Sequence, residues 1–347
     1  MMQRREWKPQ ERGRGSGMEK SWRVLSVLPL EQRHREYLQQ AAGGETVCTF
    51  RWKSCTSVSP EDVAWADVIL GNVPPALVAE YAGAGAEKSH LRWMQLNSAG
   101  ADAYAGQEVL RPETILTCSK GAYGVSVSEH MMTMTFCLIR RMDQYLRQQV
   151  RHEWKTAGAV TSLQGSVVLV LGLGDIGGRY ARMCHALGAR VIGVRRSVRG
   201  ERPDWLEEEH TMEDLDELLP RADITAMILP GGPATEHVMD ERRLRLMKPG
   251  AFLINDGRGN AIDPAALKKV LREGHLGGVA LDVTEPEPLP ADDALWDMER
   301  VIITPHIAGQ FLLAETFENV VRIAGENLRA FVSGAPLRHV VDRKAGY

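Results

Sequence analysis

The chain has 347 residues, of which 44% are hydrophobic and 25% charged, and its formal net charge is −3. This is the composition of a globular protein of about two domains. It excludes the strongly basic surface of a nucleic-acid-binding protein, and with no secretory signal and no apolar run of about 20 residues we expect no membrane segment. The five cysteines show no CxxC spacing, which indicates free thiols, no metal site and a cytoplasmic protein.

Taken in chain order, residues 1–20 are polar and interleaved with glycine, so we expect a disordered leader or a cloning remnant there. Short apolar strands then alternate with helical patterns, which predicts βαβ units around a parallel sheet. The strands of this first α/β domain are predicted at Trp22–Leu30, Trp65–Asn72, Leu91–Asp102 and Glu113–Gly121.

A long, Met-rich, helix-periodic segment follows at Val125–Trp154. Its methionines are typical of core packing or of a subunit interface. Because it has more apolar surface than one helix beside one domain buries, we expect a two-fold homodimer. A second α/β domain comes next and a final helix is predicted at Leu313–Gly334; the strands are predicted at Val167–Gly172, Ala189–Val194, Ala222–Pro230, Ala251–Asp256, Gly277–Val283 and Arg300–His306.

The segment VLVLGLGDIGGRYARMCHALGARVIGVRRS, Val168–Ser197, opens this second domain. It places G-x-G-x-x-G at Gly172, Gly174 and Gly177, between an apolar strand and a helix. In that setting the first glycine permits the tight turn, and the second lets a pyrophosphate approach the helix N-terminus. The pattern therefore predicts a dinucleotide site.

The end of the next strand bears on which dinucleotide is bound. Arg195, Arg196 and Ser197 stand where NAD sites usually place an acidic residue. A carboxylate there would repel a 2′-phosphate, whereas guanidinium and hydroxyl groups bind one. We therefore predict NADP(H) as the preferred cofactor, with NAD possible. The alternative is that the two arginines are solvated surface residues.

Three further stretches lie at the carboxyl ends of predicted strands, where open α/β sheets bind ligands. They contain Arg258, a fork for a carboxylate or keto oxygen; Glu287, a carboxylate; and His306, a proton donor. Each has an ordinary explanation by itself, as a loop arginine, a solvated glutamate or a helix-capping histidine. Their order and context together favour chemistry.

The motifs GLGDIG, DGRG, DVTEPEPL and TPHIAG, in this order and spacing, resemble those of the D-isomer-specific 2-hydroxyacid dehydrogenase family. The resemblance extends from about Trp22 to about Ser333. It implies an α/β protein of two doubly wound parallel-sheet domains. A Rossmann dinucleotide-binding domain, 121–308, is then inserted into a flavodoxin-like substrate-binding domain made of 21–120 and 309–347.

The resemblance also implies roles for single residues. Arg258 would bind the substrate carboxylate and polarise the ketone, His306 would be the general acid in reduction, and Glu287 its carboxylate partner. Backbone N–H groups of the loop Ser98, Ala99 and Gly100 would bind the substrate carboxylate. Further cofactor contacts are implied at Asp175, Ile176, Leu229, Pro230, Thr235, Asp256, Gly257, Asp282, Ala308 and Gly309.

The implied activity is that of a glyoxylate or hydroxypyruvate reductase, which reduces a small 2-oxo acid with NADPH. Two alternatives stay open. One is a dinucleotide-responsive binding protein similar to the corepressors that share this fold. The other is a phosphoglycerate dehydrogenase-like enzyme, although the loop NSAGADAY offers no basic residue for a phosphate.

Overall fold

A computed structural model describes residues 21–43, 48–106, 108–198, 201–343 and 346. The expected disordered leader, 1–20, lies outside the described residues. The chain divides into two compact units. One is Tyr123–Thr316, and the other consists of the described residues up to Ala122 together with those from Phe317 onward. The assignment of these units to cofactor and substrate binding stays a prediction.

The first unit, formed by the described residues up to Ala122 and from Phe317 onward, is built on a five-stranded parallel sheet. Its strands are β1 (Trp22–Ser26), β2 (Cys48–Trp52), β3 (Val68–Leu70), β4 (Trp93–Gln95) and β5 (Ile115–Thr117), in the order β2-β1-β3-β4-β5. This is the strand order of flavodoxin-like folds. The helices before the second unit are α1 (Gln32–Ala41), α2 (Pro60–Trp65), α3 (Pro75–Tyr81) and α4 (Asp102–Ala105).

The second unit begins with two helices, α5 (Gly124–Ile139) and α6 (Met142–Val150). Seven parallel strands follow: β6 (Val167–Leu171), β7 (Arg190–Val194), β8 (Glu208–His210), β9 (Ile224–Met227), β10 (Phe252–Asn255), β11 (Gly278–Leu281) and β12 (Val301–Ile303). The helices among them are α7 (Asp175–Ala186), α8 (Leu215–Leu218), α9 (Glu241–Leu246) and α10 (Pro264–Arg272). The last helix is α11 (Ala314–Ser333), most of which belongs to the first unit.

The strand order of the second sheet is β12-β11-β10-β9-β6-β7-β8. The central strands are short apolar runs buried on both faces, as parallel sheets between helices require. The chain runs in opposite directions away from β6, so the order reverses between β6 and β9. Open α/β sheets bind their ligands at the carboxyl edge of such a reversal.

The predicted fold class of two doubly wound parallel sheets is confirmed. Two strands were missed, β2 and β8, and each lies at the edge of its sheet. These two edge strands, CTFRW and EEH, are mostly half exposed and lack the apolar run by which the other strands were predicted.

The single long helix expected around Val125–Trp154 is two helices. The break falls at Arg141, which has a left-handed backbone with φ of 57°. An α-helix does not continue through such a residue. None of the helices within the described ranges combines the length and the apolar character that crossing a membrane requires.

Candidate active site

The glycine loop follows β6 and has the shape of a pyrophosphate cradle. Gly172 has φ of +104°, and a Cβ there would lie 2.5 Å from the carbonyl oxygen of Ile228. Only glycine fits this turn. At Gly174 an added Cβ would meet no protein atom within 4 Å, so packing does not require glycine and the space beside the backbone is open. The residues therefore fit a bound dinucleotide.

The first turn of α7 contains Asp175, Ile176 and Gly177. Gly174 is its N-cap, and no side chain caps the helix there. First-turn N–H groups that no side chain caps can bind an anion, which the helix dipole also favours. The carboxylate of Asp175 is paired one turn along the helix with Arg179, at 3.1 Å between Oδ1 and Nε, which offsets its negative charge.

The two arginines after β7 lie in different surroundings. Nε of Arg195 lies 2.7 Å from Oε1 of Glu209, and the two side chains are only 16% and 4% exposed. Nη2 of Arg195 donates a hydrogen bond of 3.0 Å to the carbonyl of Leu173, inside the glycine loop. Arg196 and Ser197 are exposed. The sequence analysis missed Glu209, which lies in an acidic run on the missed strand β8.

The loop after β9 contains Leu229, Pro230 and Thr235. Leu229 is buried. The hydroxyl of Thr235 donates to the carbonyl of Pro230 at 2.7 Å, which closes the loop on itself. The loop lies beside the glycine loop, because Ile228 O is the atom that a Cβ of Gly172 would strike.

Arg258 lies on a turn that a buried side chain holds from behind. Nδ2 of Asn255 donates to Arg258 O at 2.9 Å, and its Oδ1 accepts from Gly257 N at 3.1 Å. Nη1 of Arg258 donates to Gly257 O at 2.8 Å. The sequence analysis missed Asn255. The available clue was a polar residue at the end of an apolar strand.

The Arg258 turn packs directly on the loop that leads to Glu287. A Cβ at Gly259 would lie 1.9 Å from the carbonyl oxygen of Thr284. The two backbones therefore touch at a place where only glycine fits. The structure thus brings the Arg258 segment and the Glu287 segment together, as the sequence analysis expected of residues at one sheet edge.

His306 and Glu287 form a close pair. Nδ1 of His306 lies 2.5 Å from Oε1 of Glu287, and both side chains are about half exposed. Because Glu287 takes Nδ1, Nε2 is the ring nitrogen that can exchange a proton with a substrate. His306 has a left-handed backbone with φ of 51°. A non-glycine residue held in that region is common at functional sites.

Asp282 fixes the His306 loop. Its Oδ1 accepts from Thr304 Oγ1 at 2.7 Å and from Ile307 N at 2.9 Å, and its Oδ2 accepts from Ala308 N at 3.1 Å. Its carbonyl oxygen accepts from His306 N at 2.8 Å. We predicted Asp282 and Ala308 as cofactor contacts. In the structure their hydrogen bond fixes the segment that contains His306 and leads to Gly309.

Helix α5 supports the same network from the side. Nε2 of His130 lies 3.0 Å from Thr304 Oγ1 and 3.7 Å from Asp282 Oδ1. Oγ of Ser126 donates to Ala308 O at 2.6 Å. The helical segment that we interpreted as core packing or as an interface thus also positions the loop around His306.

Asp256 differs sharply from its neighbour Asp282. It is buried, and neither carboxyl oxygen has a hydrogen-bond partner among the described residues. Burial, and secondarily the negative charge of Asp282, raise the pKa of Asp256 well above its ordinary value. Burial therefore favours the protonated form of Asp256 over the carboxylate.

The predicted substrate loop lies in the other unit, after β4. Oγ of Ser98 donates to Gly100 O at 2.6 Å, and Ser98 O accepts from Ser119 N at 2.9 Å. Nδ2 of Asn72 donates to Ser98 Oγ at 3.2 Å. These bonds hold the backbone of Ser98, Ala99 and Gly100 in one conformation within that unit.

Comparison with known proteins identifies one family that is similar to this chain. The family model for the D-isomer specific 2-hydroxyacid dehydrogenase NAD binding domain matches residues 132–308. The chain is 31% identical over 264 residues to the glyoxylate reductase of Korarchaeum cryptofilum, across 73% of this chain and 77% of that protein.

Solved structures resemble most of the chain. A D-isomer specific 2-hydroxyacid dehydrogenase family protein from Aeromonas salmonicida superposes with a TM-score of 0.78 and 32% identity, over 93% of this chain and 100% of that one. A D-isomer specific 2-hydroxyacid dehydrogenase from Xanthobacter autotrophicus, in complex with NADPH and MES, gives 0.77 and 27%, over 94% and 100%.

The state of Asp256 generates a first prediction. A carboxyl group whose pKa is raised on folding destabilises the protein increasingly as pH rises from about 4 toward the folded pKa. Asp256→Asn removes the ionisable group and keeps its shape. We expect the melting temperature of this variant, minus that of the parent, to increase from pH 5 to pH 8 in cofactor-free protein.

The matched control is Asp282→Asn, which replaces a carboxylate that accepts three hydrogen bonds with a neutral amide. This variant should be less stable than the parent. If the difference for Asp256→Asn stays constant or falls with pH, the pKa of Asp256 is not raised on folding and the prediction is wrong.

Proposed function

The chain belongs to the D-isomer specific 2-hydroxyacid dehydrogenase family of NAD(P)-dependent oxidoreductases, and from this premise we propose that it reduces small 2-oxo acids with NADPH as preferred cofactor. The observation that carries the proposal is the 2.5 Å contact between His306 Nδ1 and Glu287 Oε1. The segment that leads to Glu287 packs against the Arg258 turn, where Thr284 meets Gly259. In the proposal the pair supplies the proton donor and Arg258 the guanidinium that the reduction of a keto acid requires.

Each of the three side chains has a chemical role in the proposal. The guanidinium of Arg258 binds the substrate carboxylate and polarises the keto oxygen. Nε2 of His306 donates a proton to that oxygen as it becomes a hydroxyl group, while Glu287 accepts from Nδ1 and orients the ring. A dinucleotide whose pyrophosphate binds at the glycine loop would supply the hydride from its nicotinamide ring.

The preference for NADPH rests on the end of β7. Arg196 and Ser197 are exposed there, and neither would repel a 2′-phosphate as a carboxylate would. The relative from Xanthobacter autotrophicus was solved with NADPH, which supports the same choice. The substrate is proposed as a small 2-oxo acid, since the relative from Korarchaeum cryptofilum is a glyoxylate reductase.

A homodimer is proposed from the surface of the α5–α6 segment. Three large apolar side chains repeat every four residues along α6 and are exposed: Met142 41%, Leu146 55% and Val150 82%. Phe136 in α5 is 37% exposed, and Trp154 and Val160, which follow α6, are 103% and 47% exposed. A stripe of this kind is typical of a subunit interface. A two-fold axis would let the same stripe cover itself.

The pair His306 and Glu287 generates the second prediction. His306→Ala should lower kcat by about a hundredfold or more and change KM little, because the proton is transferred only in the transition state. Glu287→Gln should lower kcat less, because a neutral amide orients the ring but stabilises the imidazolium poorly. Steady-state kinetics with glyoxylate and hydroxypyruvate provide the measurement.

Glu285 offers a matched control for Glu287. It lies two residues away and pairs with a different histidine, His237, at 2.8 Å. Glu285→Gln should therefore keep most of kcat. Equal losses for the two glutamine variants would assign Glu287 a general role in the loop and remove its role at His306.

The third prediction concerns the cofactor. A charge-assisted hydrogen bond is worth roughly 1.5–3 kcal/mol, so NADPH should exceed NADH in kcat/KM by about ten- to a hundredfold. The excess should shrink with salt, because the residues are exposed. A panel of 2-oxo acids assayed with both cofactors provides the test, and it also identifies the preferred substrate.

Arg196→Ala should lower kcat/KM for NADPH and leave that for NADH nearly unchanged. The control is Arg190→Ala, at the opposite end of β7, where the guanidinium pairs with Glu207. If the parent uses NADH as well as NADPH, the proposed preference is wrong. If no 2-oxo acid is turned over with either cofactor, the enzyme proposal itself fails in favour of a dinucleotide-responsive binding protein.

The fourth prediction concerns assembly. Leu146→Glu places a charge in the exposed apolar stripe of α6 and should convert the dimer to a monomer. The control is Leu187→Glu, at a leucine of similar exposure, 46%, that lies outside the stripe. This variant should leave the dimer intact. Sedimentation velocity at micromolar concentration measures both, and a parent protein that sediments as a monomer would disprove the interface.

A further inference from the structure

The ion pair between Arg195 and Glu209 bears on how strongly the cofactor site discriminates. We propose that Glu209 is a specificity-determining residue, which balances the charge of Arg195 and thereby limits the preference for NADPH over NADH. The inference rests on the proposed function, because it concerns the adenosine end of the proposed NADP site. It assigns direct contact with a 2′-phosphate to Arg196 and Ser197 instead of Arg195.

The strand register explains how the pair forms. Strands β7 and β8 are parallel, with Gly193 opposite Glu209. Side chains alternate along a strand, so Glu209 lies on the same face of the sheet as Gly193 and Arg195. Gly193 has no side chain, and the side chain of Leu173 fills the space beside it, so β7 itself places no side chain between the carboxylate of Glu209 and the guanidinium of Arg195.

The pair is well shielded from water. The side chains of Arg195 and Glu209 are 16% and 4% exposed, and Nε and Oε1 are 2.7 Å apart. Solvent screens buried charges weakly, so each member strongly reduces the field of the other. At the distance of a bound cofactor the pair acts nearly as a neutral group, whereas either member alone would act as a full charge.

Arg195 also has a role that does not depend on the cofactor's phosphate. Its Nη2 donates to Leu173 O at 3.0 Å, and Leu173 lies between the first two glycines of the loop. This bond braces the pyrophosphate cradle, which NADH and NADPH would share. A loss of the brace should weaken both cofactors alike and cancel in the ratio of their affinities.

The test is a charge series read as the ratio of dissociation constants, Kd for NADH over Kd for NADPH, measured by cofactor fluorescence without substrate. Glu209→Gln leaves a net positive pair and should raise the ratio about three- to tenfold. Arg195→Gln leaves a net negative pair and should lower it by a similar factor. The double variant, again neutral, should return to within about threefold of the parent.

The matched control is Glu208→Gln. Glu208 is the adjacent residue on β8 and pairs with Arg221 and with His210, 2.9 Å away. Its side chain points to the opposite face of the strand. This variant should change the ratio less than twofold.

Two results would overturn the inference. A double variant with a ratio as low as that of Arg195→Gln would mean that Arg195 binds the phosphate directly. A ratio that stays the same or falls in Glu209→Gln would mean that Glu209 does not oppose NADPH. If one single variant fails to fold because a buried charge has lost its partner, the other single variant is compared with the double variant: the ratio should rise from Arg195→Gln to the double variant and fall from Glu209→Gln to the double variant.

Failure of the proposed function is read from a different measurement. A parent protein that binds NADH at least as tightly as NADPH contradicts the proposed preference, whatever the order of the charge series. A parent that prefers NADPH, combined with a flat series, contradicts only the role of Glu209.

Discussion

The geometry around His306 depends on the hydrogen bonds that Asp282 accepts. Its carboxylate takes one from the hydroxyl of Thr304 and two from backbone N–H groups, and its carbonyl takes a fourth from His306 itself. A buried carboxylate with several donors is held firmly, since leaving it unpaired would cost several kcal/mol. These hydrogen bonds offset the conformational cost of the left-handed backbone at His306. That backbone directs Nδ1 toward Glu287.

The two buried acids at this edge are a contrast that the sheet itself produces. Asn255 and Leu281 are register partners on β10 and β11, so the residues that follow them, Asp256 and Asp282, lie at the same level and on the same face. Four hydrogen-bond donors of the His306 loop, on Thr304, His306, Ile307 and Ala308, go to Asp282. Asp256 has none among the described residues, and burial together with the charge of Asp282 raises its pKa. The protonated form that this favours can donate a hydrogen bond, which suits a residue proposed to contact a cofactor.

The sequence allowed much of this arrangement to be predicted, because its signals are local. The inner strands are apolar runs, and the glycines at Gly172 and Gly259 mark places where backbones touch. What was missed depends on contacts between distant segments or on half-exposed strands. Asn255 is recognisable only by its hydrogen bonds to the Arg258 turn. Glu209 is recognisable only by its ion pair with Arg195, which joins the end of β7 to the neighbouring strand β8. The helix break at Arg141 could not be predicted, because no glycine or proline marks it in the sequence.

The case of Glu209 limits what can be concluded from arginines after the second strand of a dinucleotide fold. Their number predicts a positive site, but the field at a ligand depends on each guanidinium together with its counter-charge. Here the counter-charge comes from β8, a three-residue edge strand, with no apolar pattern to reveal it. Arg195 and Arg196 are adjacent in sequence, yet one is buried in an ion pair and the other is exposed. The proposed preference for NADPH should therefore follow the net charge of the group formed by Arg195, Arg196 and Glu209.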